Sequence, residues 1–128
     1  MMTTVNEVIL FYLLLLVGHV AHVFEEVWGR VWLIDGFFHS LGRFLAANLF
    51  IFSIPMVVFY FILQDMRWAY FMGIVYAGVM VLNGIGYNLA TAITKRYFNG
   101  FAGGYSGIFL VLFGTLLVFY LIRGVTNN

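Results

Sequence analysis

The stretch FLAANLFIFSIPMVVFYFIL, residues 44–63, decides the class of fold: it is 20 residues long, only Asn48, Ser53 and Pro55 interrupt its apolar character, and none is charged. At about 1.5 Å of rise per residue such a helix covers the roughly 30 Å hydrocarbon core of a bilayer. Pro55 near its middle lacks the N–H of a helical hydrogen bond, so a kink is expected there, of the kind that neighbouring helices can satisfy. The connection that follows, Gln64-Asp65-Met66-Arg67, is so short that the next span must be its antiparallel neighbour.

Working outward, Trp68 to about Thr94 reads as the next span, closed by Lys95-Arg96-Tyr97. Val8 to Phe24 is an apolar run of 17 residues before Glu25 and Glu26, and no helix breaker follows until Asp35-Gly36. The helix is therefore expected to continue past the two acids and to place them at or just inside the interface. The amino end has no basic n-region and no small-residue cleavage pattern, so this run is expected to be a retained span. A last run, Ile108 to Ile122, follows a segment holding Gly100, Gly103, Gly104 and Gly107. Its overlapping G-x-x-x-G spacings suit either close helix packing or a re-entrant loop. The expected architecture is an all-α bundle of about four transmembrane helices in one domain, with spans near 8–28, 44–63, 68–94 and 104–122.

Composition agrees. The chain has 128 residues, 64% hydrophobic and 9% charged, with a mean hydropathy of +1.03, against about 45–50% apolar and 25% charged in soluble domains. Too few polar residues are present to coat a soluble core, so membrane lipid is the expected surroundings. Cysteine is absent and the net charge is +1, which removes thiolate chemistry and points away from nucleic acid. Arg30, Arg43, Lys95 and Arg96 follow the first and third spans, against Arg67 and Arg123 elsewhere, which weakly favours both termini outside the cytoplasm. Trp28, Trp32 and Trp68 lie beside span ends, as an aromatic belt would place them.

Ionisable residues in a span are costly, about 2.5–3.5 kcal/mol at the bilayer centre, and concentrate where there is function. At about 100° per residue, with His19 at zero, His22 falls near 300°, Glu25 near 240°, Glu26 near 340° and Arg30 near 20°. His19, His22, Glu26 and Arg30 thus share one stripe, Tyr12 extends it, and Glu25 lies at its edge. Such a stripe must face the bundle interior or a wet cavity. Two imidazoles and two carboxylates are donors that a divalent metal, zinc or iron, would take, with His19, His22, Glu25 and Glu26 as ligands. The same groups suit acid/base catalysis. They also suit a purely structural role, with Glu26 and Arg30 as an i, i+4 ion pair and the histidines bonded between helices. On the third span Tyr76, Asn83, Tyr87 and Thr94 form a second stripe, with Asn88 pointing elsewhere. Asn83 and Tyr87 would orient the first-span carboxylates or a substrate oxygen. His39 is expected at the solvated interface, and Asn48 and Ser53 in helix contacts.

His22-Val23-Phe24-Glu25-Glu26 in a small multi-span protein resembles the bacterial family named for its H-x-x-E-E motif. Two further family elements match in part. Asn83 is followed at the fourth position by Tyr87 where the family has histidine, and Tyr97-Phe98-Asn99-Gly100 has Asn99 where it has proline. The resemblance covers most of the chain and implies a multi-span helical protein of the bacterial cytoplasmic membrane. That family has no established activity, so no reaction is implied, and Tyr87 in place of histidine favours an acid/base site over a metal site. The leading expectation is an intramembrane enzyme, metal-dependent or not, acting on an apolar or amphiphilic small molecule, with His22, Glu25, Glu26, Asn83 and Tyr87 at its centre. The runner-up is a non-enzymatic carrier, channel or assembly subunit, in which the stripe is a proton relay or structural and the chain forms a homo-oligomer.

Overall fold

The structure is a computed structural model that describes residues 2–34, 38–95 and 104–127. The described helices are α1 (Met2–Trp28), α2 (Val31–Ile34), α3 (Leu41–Leu63), α4 (Arg67–Thr94) and α5 (Gly104–Asn127). The four long ones carry stretches long and apolar enough to cross a membrane: Val5–Trp28, Leu41–Leu63, Arg67–Thr94 and Gly104–Thr126. The protein is an all-α membrane bundle. The Asp35-Gly36 turn, Arg96, Tyr97, Asn99, Gly100 and Gly103 lie outside the described residues.

The long helices stop for local reasons. Arg30, Asp65 and Lys95 all have left-handed backbone (φ 53°, 53° and 51°) and end α1, α3 and α4. The end of α3 is a Schellman motif, in which Met66 N bonds Phe61 O (3.1 Å) and Asp65 N bonds Ile62 O (2.9 Å). Asp65 occupies the position that usually takes glycine. At the other end of α3 the Ser40 side chain accepts from Arg43 N at 3.3 Å, a standard N-cap bond. α3 runs through Pro55 as one helix. Asn48 and Ser53 both bond back to carbonyls of their own helix, Phe44 O and Phe50 O.

Buried residues on α1 recur as Val8, Tyr12, Leu15, His19, His22 and Glu26, and on α5 as Gly107, Leu110, Gly114, Leu117 and Leu121. These alternating three- and four-residue steps are the seam spacing of left-handed helix packing. The α5 seam is narrow because glycine alternates with leucine. A Cβ on Gly114 would lie 2.6 Å from Val81 Cγ2 and 3.1 Å from Ala77 O, and one on Gly84 would collide with the Gly107 carbonyl. Glycine here allows α4 and α5 to pack backbone to backbone, which is the helix-packing use of Gly104 and Gly107. α5 packs most extensively on α4 and next on α1, while α3 touches both more lightly. The buried residues of α3 are Phe44, then none until Pro55, Val58 and Ile62. Half of α3 thus stands away from the core.

Candidate functional site

The α1 seam is apolar in its first half and polar in its second. His19, His22 and Glu26 take core positions, 4%, 0% and 8% exposed, where leucines would otherwise be expected. Opposite them, α4 continues its own seam into Asn83 and Tyr87. α1 and α4 are held together here by side chains, and α5 closes the third side.

Hydrogen-bond polarity assigns the proton on His22. The Ser106 hydroxyl donates its one proton to Glu25 Oε2. It can therefore only accept from His22 Nδ1, 2.9 Å away. With Nδ1 protonated, Nε2 of the neutral ring is an acceptor, and it lies 3.2 Å from Asn83 Nδ2, a donor. The network is self-consistent: Asn83 donates to His22, His22 to Ser106, and Ser106 to the Glu25 carboxylate. Nε2 also lies 3.5 Å from Glu26 Oε1, and Glu26 Oε1 accepts from the Tyr87 hydroxyl. The Tyr87 ring meets the His22 ring edge-on at 4.5 Å.

Glu25 has a second task. It accepts from Ser106 N at 2.9 Å and Tyr105 N at 3.3 Å. These are first-turn amides of α5, which have no partner inside their own helix. A carboxylate from α1 therefore caps α5, where the positive end of the helix dipole favours it.

Deeper along α1, His19 Nδ1 pairs with the Tyr76 hydroxyl at 3.2 Å, and its ring packs on Phe52. Tyr76 stacks on Tyr12, whose hydroxyl donates to Pro55 O at 3.0 Å.

The structure thus joins His22, Glu25, Glu26, Asn83 and Tyr87 in one network and leaves His19 in an adjoining cluster. Asn83 reaches the imidazole and Tyr87 a carboxylate. Arg30 departs from the expected stripe: α1 ends at Trp28, and Arg30 is exposed on a left-handed turn, out of helical register with Glu26. Thr94 is exposed and bonds Ala90 O of its own helix, so it also leaves the second stripe. Asn88 lies against Gly107 of α5. His39 is exposed.

Among the described residues, no three His, Cys, Asp or Glu side chains gather closely enough to hold a metal ion. Both His22 nitrogens are engaged, Glu25 caps α5 and Glu26 accepts from the Tyr87 hydroxyl. The side chains expected as zinc or iron ligands are here hydrogen-bonded within the bundle, His19 through Nδ1 to Tyr76.

Ser106, which links the histidine to the carboxylate, was not singled out from the sequence. Its one local signal is a small hydroxyl residue in the first turn of an apolar helix, among free amides. Nothing local names its partners, which are 81 and 84 residues away. Comparison of the chain with protein-family models, curated proteins and solved structures produced no match.

Proposed function

We propose that this protein is an intramembrane proton-transfer enzyme acting on an apolar or amphiphilic small molecule from the bilayer. His22 Nε2 and Glu26 are its acid/base pair. The observation that carries this reading is the hydrogen bonding of His22: Nδ1 pairs with the Ser106 hydroxyl, a polarity that leaves Nε2 as the basic nitrogen, beside Glu26. An imidazole that must accept a proton benefits from a carboxylate behind its other nitrogen, which holds the tautomer and stabilises the imidazolium once formed. Here Glu25 acts in that way through the Ser106 hydroxyl. The Asn83 amide marks the place at Nε2 where a substrate would present its proton, and Tyr87 orients Glu26. General acid/base catalysis by such a pair is worth about 10²–10⁴ in rate. The H-x-x-E-E resemblance supports the choice of residues and a bacterial cytoplasmic membrane as location.

The test uses purified protein in nanodiscs, incubated in D₂O with a total lipid extract. Proton transfer at carbon deposits deuterium in one class of molecule, read by mass spectrometry. His22→Gln and Glu26→Gln are expected to abolish the label. If no species gains deuterium, or if His22→Gln labels as well as wild type, the enzyme reading is lost.

A second reading, a proton relay, is favoured by the continuation of polar groups from His22 through His19 and Tyr76 to Tyr12. It predicts proton flux in liposomes that His22→Gln and Tyr76→Phe both reduce, and an oligomer large enough to enclose a path.

A further inference from the structure

The connection from α3 to α4 and the last turn of α5 form a cavity of about 160 Å³, lined by Asp65, Arg67, Tyr70, Gly124 and Val125. Each lining residue sits at the end of a span. Asp65 follows Leu41–Leu63, Arg67 and Tyr70 open Arg67–Thr94, and Gly124 and Val125 lie in the last turn of Gly104–Thr126. The cavity therefore lies at the depth of the bilayer headgroups, with exposed Trp68 beside it as an interfacial anchor. Tyr70 and Tyr87 are 17 residues apart on α4, about 25 Å, so the cavity is remote from His22 and Glu26.

Three features show that the cavity is built. Asp65 carries its carboxylate on left-handed backbone (φ 53°), a position where glycine would be unstrained. The buried Tyr70 donates its hydroxyl proton to Asp65 Oδ1 at 3.0 Å, which holds that carboxylate in the wall. On α5 a Cβ at Gly124 would lie 2.9 Å from Tyr70 Cε1, so glycine there leaves the ring its place.

Asp65 and Arg67 thus line one cavity with opposite charges. Both are exposed, and among the described residues no ion pair joins them to each other or to a third group. A carboxylate and a guanidinium that are not spent on one another complement a ligand carrying both charges, an ammonium for Asp65 and a phosphate for Arg67. The volume is below the about 300–1,000 Å³ of pockets that enclose a whole small molecule, so only part of the ligand fits. At this depth the ligand with that charged part and an apolar remainder for the bilayer is an aminophospholipid.

We propose that this cavity is a binding site for the phosphoethanolamine head of a bilayer lipid, with its ammonium on Asp65 and its phosphate on Arg67. The site stands independently of the proton-transfer reading, whose residues lie further along the bundle.

The test places the full chain in nanodiscs in which phosphatidylethanolamine, phosphatidylcholine or phosphatidylglycerol in turn carries a photoreactive group near the glycerol end of one acyl chain. Adducts are mapped by peptide mass spectrometry. All three lipids present a phosphate to Arg67, but only the first also presents ammonium N–H donors to Asp65. An exposed charge pair is worth up to about fivefold, and labelling at residues 63–68 and 121–126 is expected to favour phosphatidylethanolamine by that factor. Trp28, at the other end of the bundle, shows no preference. Asp65→Asn keeps a residue that tolerates the left-handed turn and still accepts from Tyr70, and it erases the preference over phosphatidylcholine. Arg67→Gln lowers labelling by all three lipids. Equal labelling of the wild type by the ethanolamine and choline lipids overturns the proposal, and needs no variant to fold. Stronger labelling by phosphatidylglycerol also overturns it, because Arg67 would then be gathering anions alone. Glycerophosphoethanolamine, the same head without acyl chains, is added in excess as a competitor. It is expected to leave the labelling unchanged, since the bilayer holds lipid heads at a far higher local concentration. Suppression by it would assign the cavity to a soluble zwitterion and overturn the lipid assignment.

Discussion

Replacing Ser106 with alanine removes one oxygen atom and disconnects two groups, His22 and Glu25. The hydroxyl is 5% exposed with its residue; it accepts from His22 Nδ1 at 2.9 Å and donates to Glu25. Interhelical hydrogen bonds in membrane proteins average only about 0.6 kcal/mol, up to about 1.7. Stranding a buried donor costs more, about 1–3 kcal/mol. In Ser106→Ala one ring nitrogen is stranded whichever tautomer His22 adopts. If Nδ1 keeps its proton, that proton has no acceptor; if the proton moves to Nε2, it can turn to Glu26 Oε1, 3.5 Å away, and the Nδ1 lone pair is buried without a donor. The expected destabilisation is about 2 kcal/mol by equilibrium unfolding in mixed micelles. Ser53→Ala, which removes an exposed hydroxyl bonded to its own helix at Phe50 O, should change stability by less than about 0.5 kcal/mol. Nitrogen-15 shifts of the histidine ring give the sharper reading: Nδ1 protonated in wild type, Nε2 protonated in Ser106→Ala. A wild-type ring with the proton on Nε2 would refute the reasoning, and so would a variant with unchanged stability and tautomer.

Three further outcomes are expected. Gly84→Ala forces α4 and α5 apart, since its Cβ collides with Gly107 O and would sit 3.0 Å from Val111 Cγ2, and should cost about 1–3 kcal/mol; Gly86→Ala meets nothing within 4 Å and should be neutral or stabilising by up to about 1 kcal/mol, so equal effects in unfolding would count against the seam. Glu25→Ala uncaps α5 and should cost about 0.5–2 kcal/mol, with faster hydrogen exchange confined to the Tyr105 and Ser106 amides; unchanged exchange there would contradict the cap. Tyr12→Phe removes the bond to Pro55 O yet strands no donor, so despite complete burial it should cost only about 0.6–1.7 kcal/mol by the same unfolding assay.

The polar cluster sits in the packing seam itself. Polar residues at seam positions 19, 22 and 26 of α1 could have packed as leucine, as Leu15 does one turn earlier. They are accommodated there because α4 and α5 bring a partner to each.

Sequence by itself determined the spans and one face of the site. Four stretches too apolar for water must be helices in lipid, because lipid offers no partner to an exposed backbone group. A period of 3.6 residues put His19, His22 and Glu26 on the same side of α1 and Asn83 and Tyr87 on the same side of α4, since these relations lie within single helices. Where a helix stops is less legible: the helical period carries Arg30 onto the stripe, but α1 ends two residues before it and its backbone is left-handed. Relations between helices needed the fold. That Glu25 caps α5, that Ser106 carries the histidine proton, and that Asn83 meets an imidazole and not a carboxylate all depend on how closely α5 approaches α4 and α1. That approach is set by Gly84 against Gly107 and by Gly114 against Ala77 and Val81. A helical period shows which way a side chain points, but a hydrogen bond between residues 84 apart exists only once packing has chosen the neighbour.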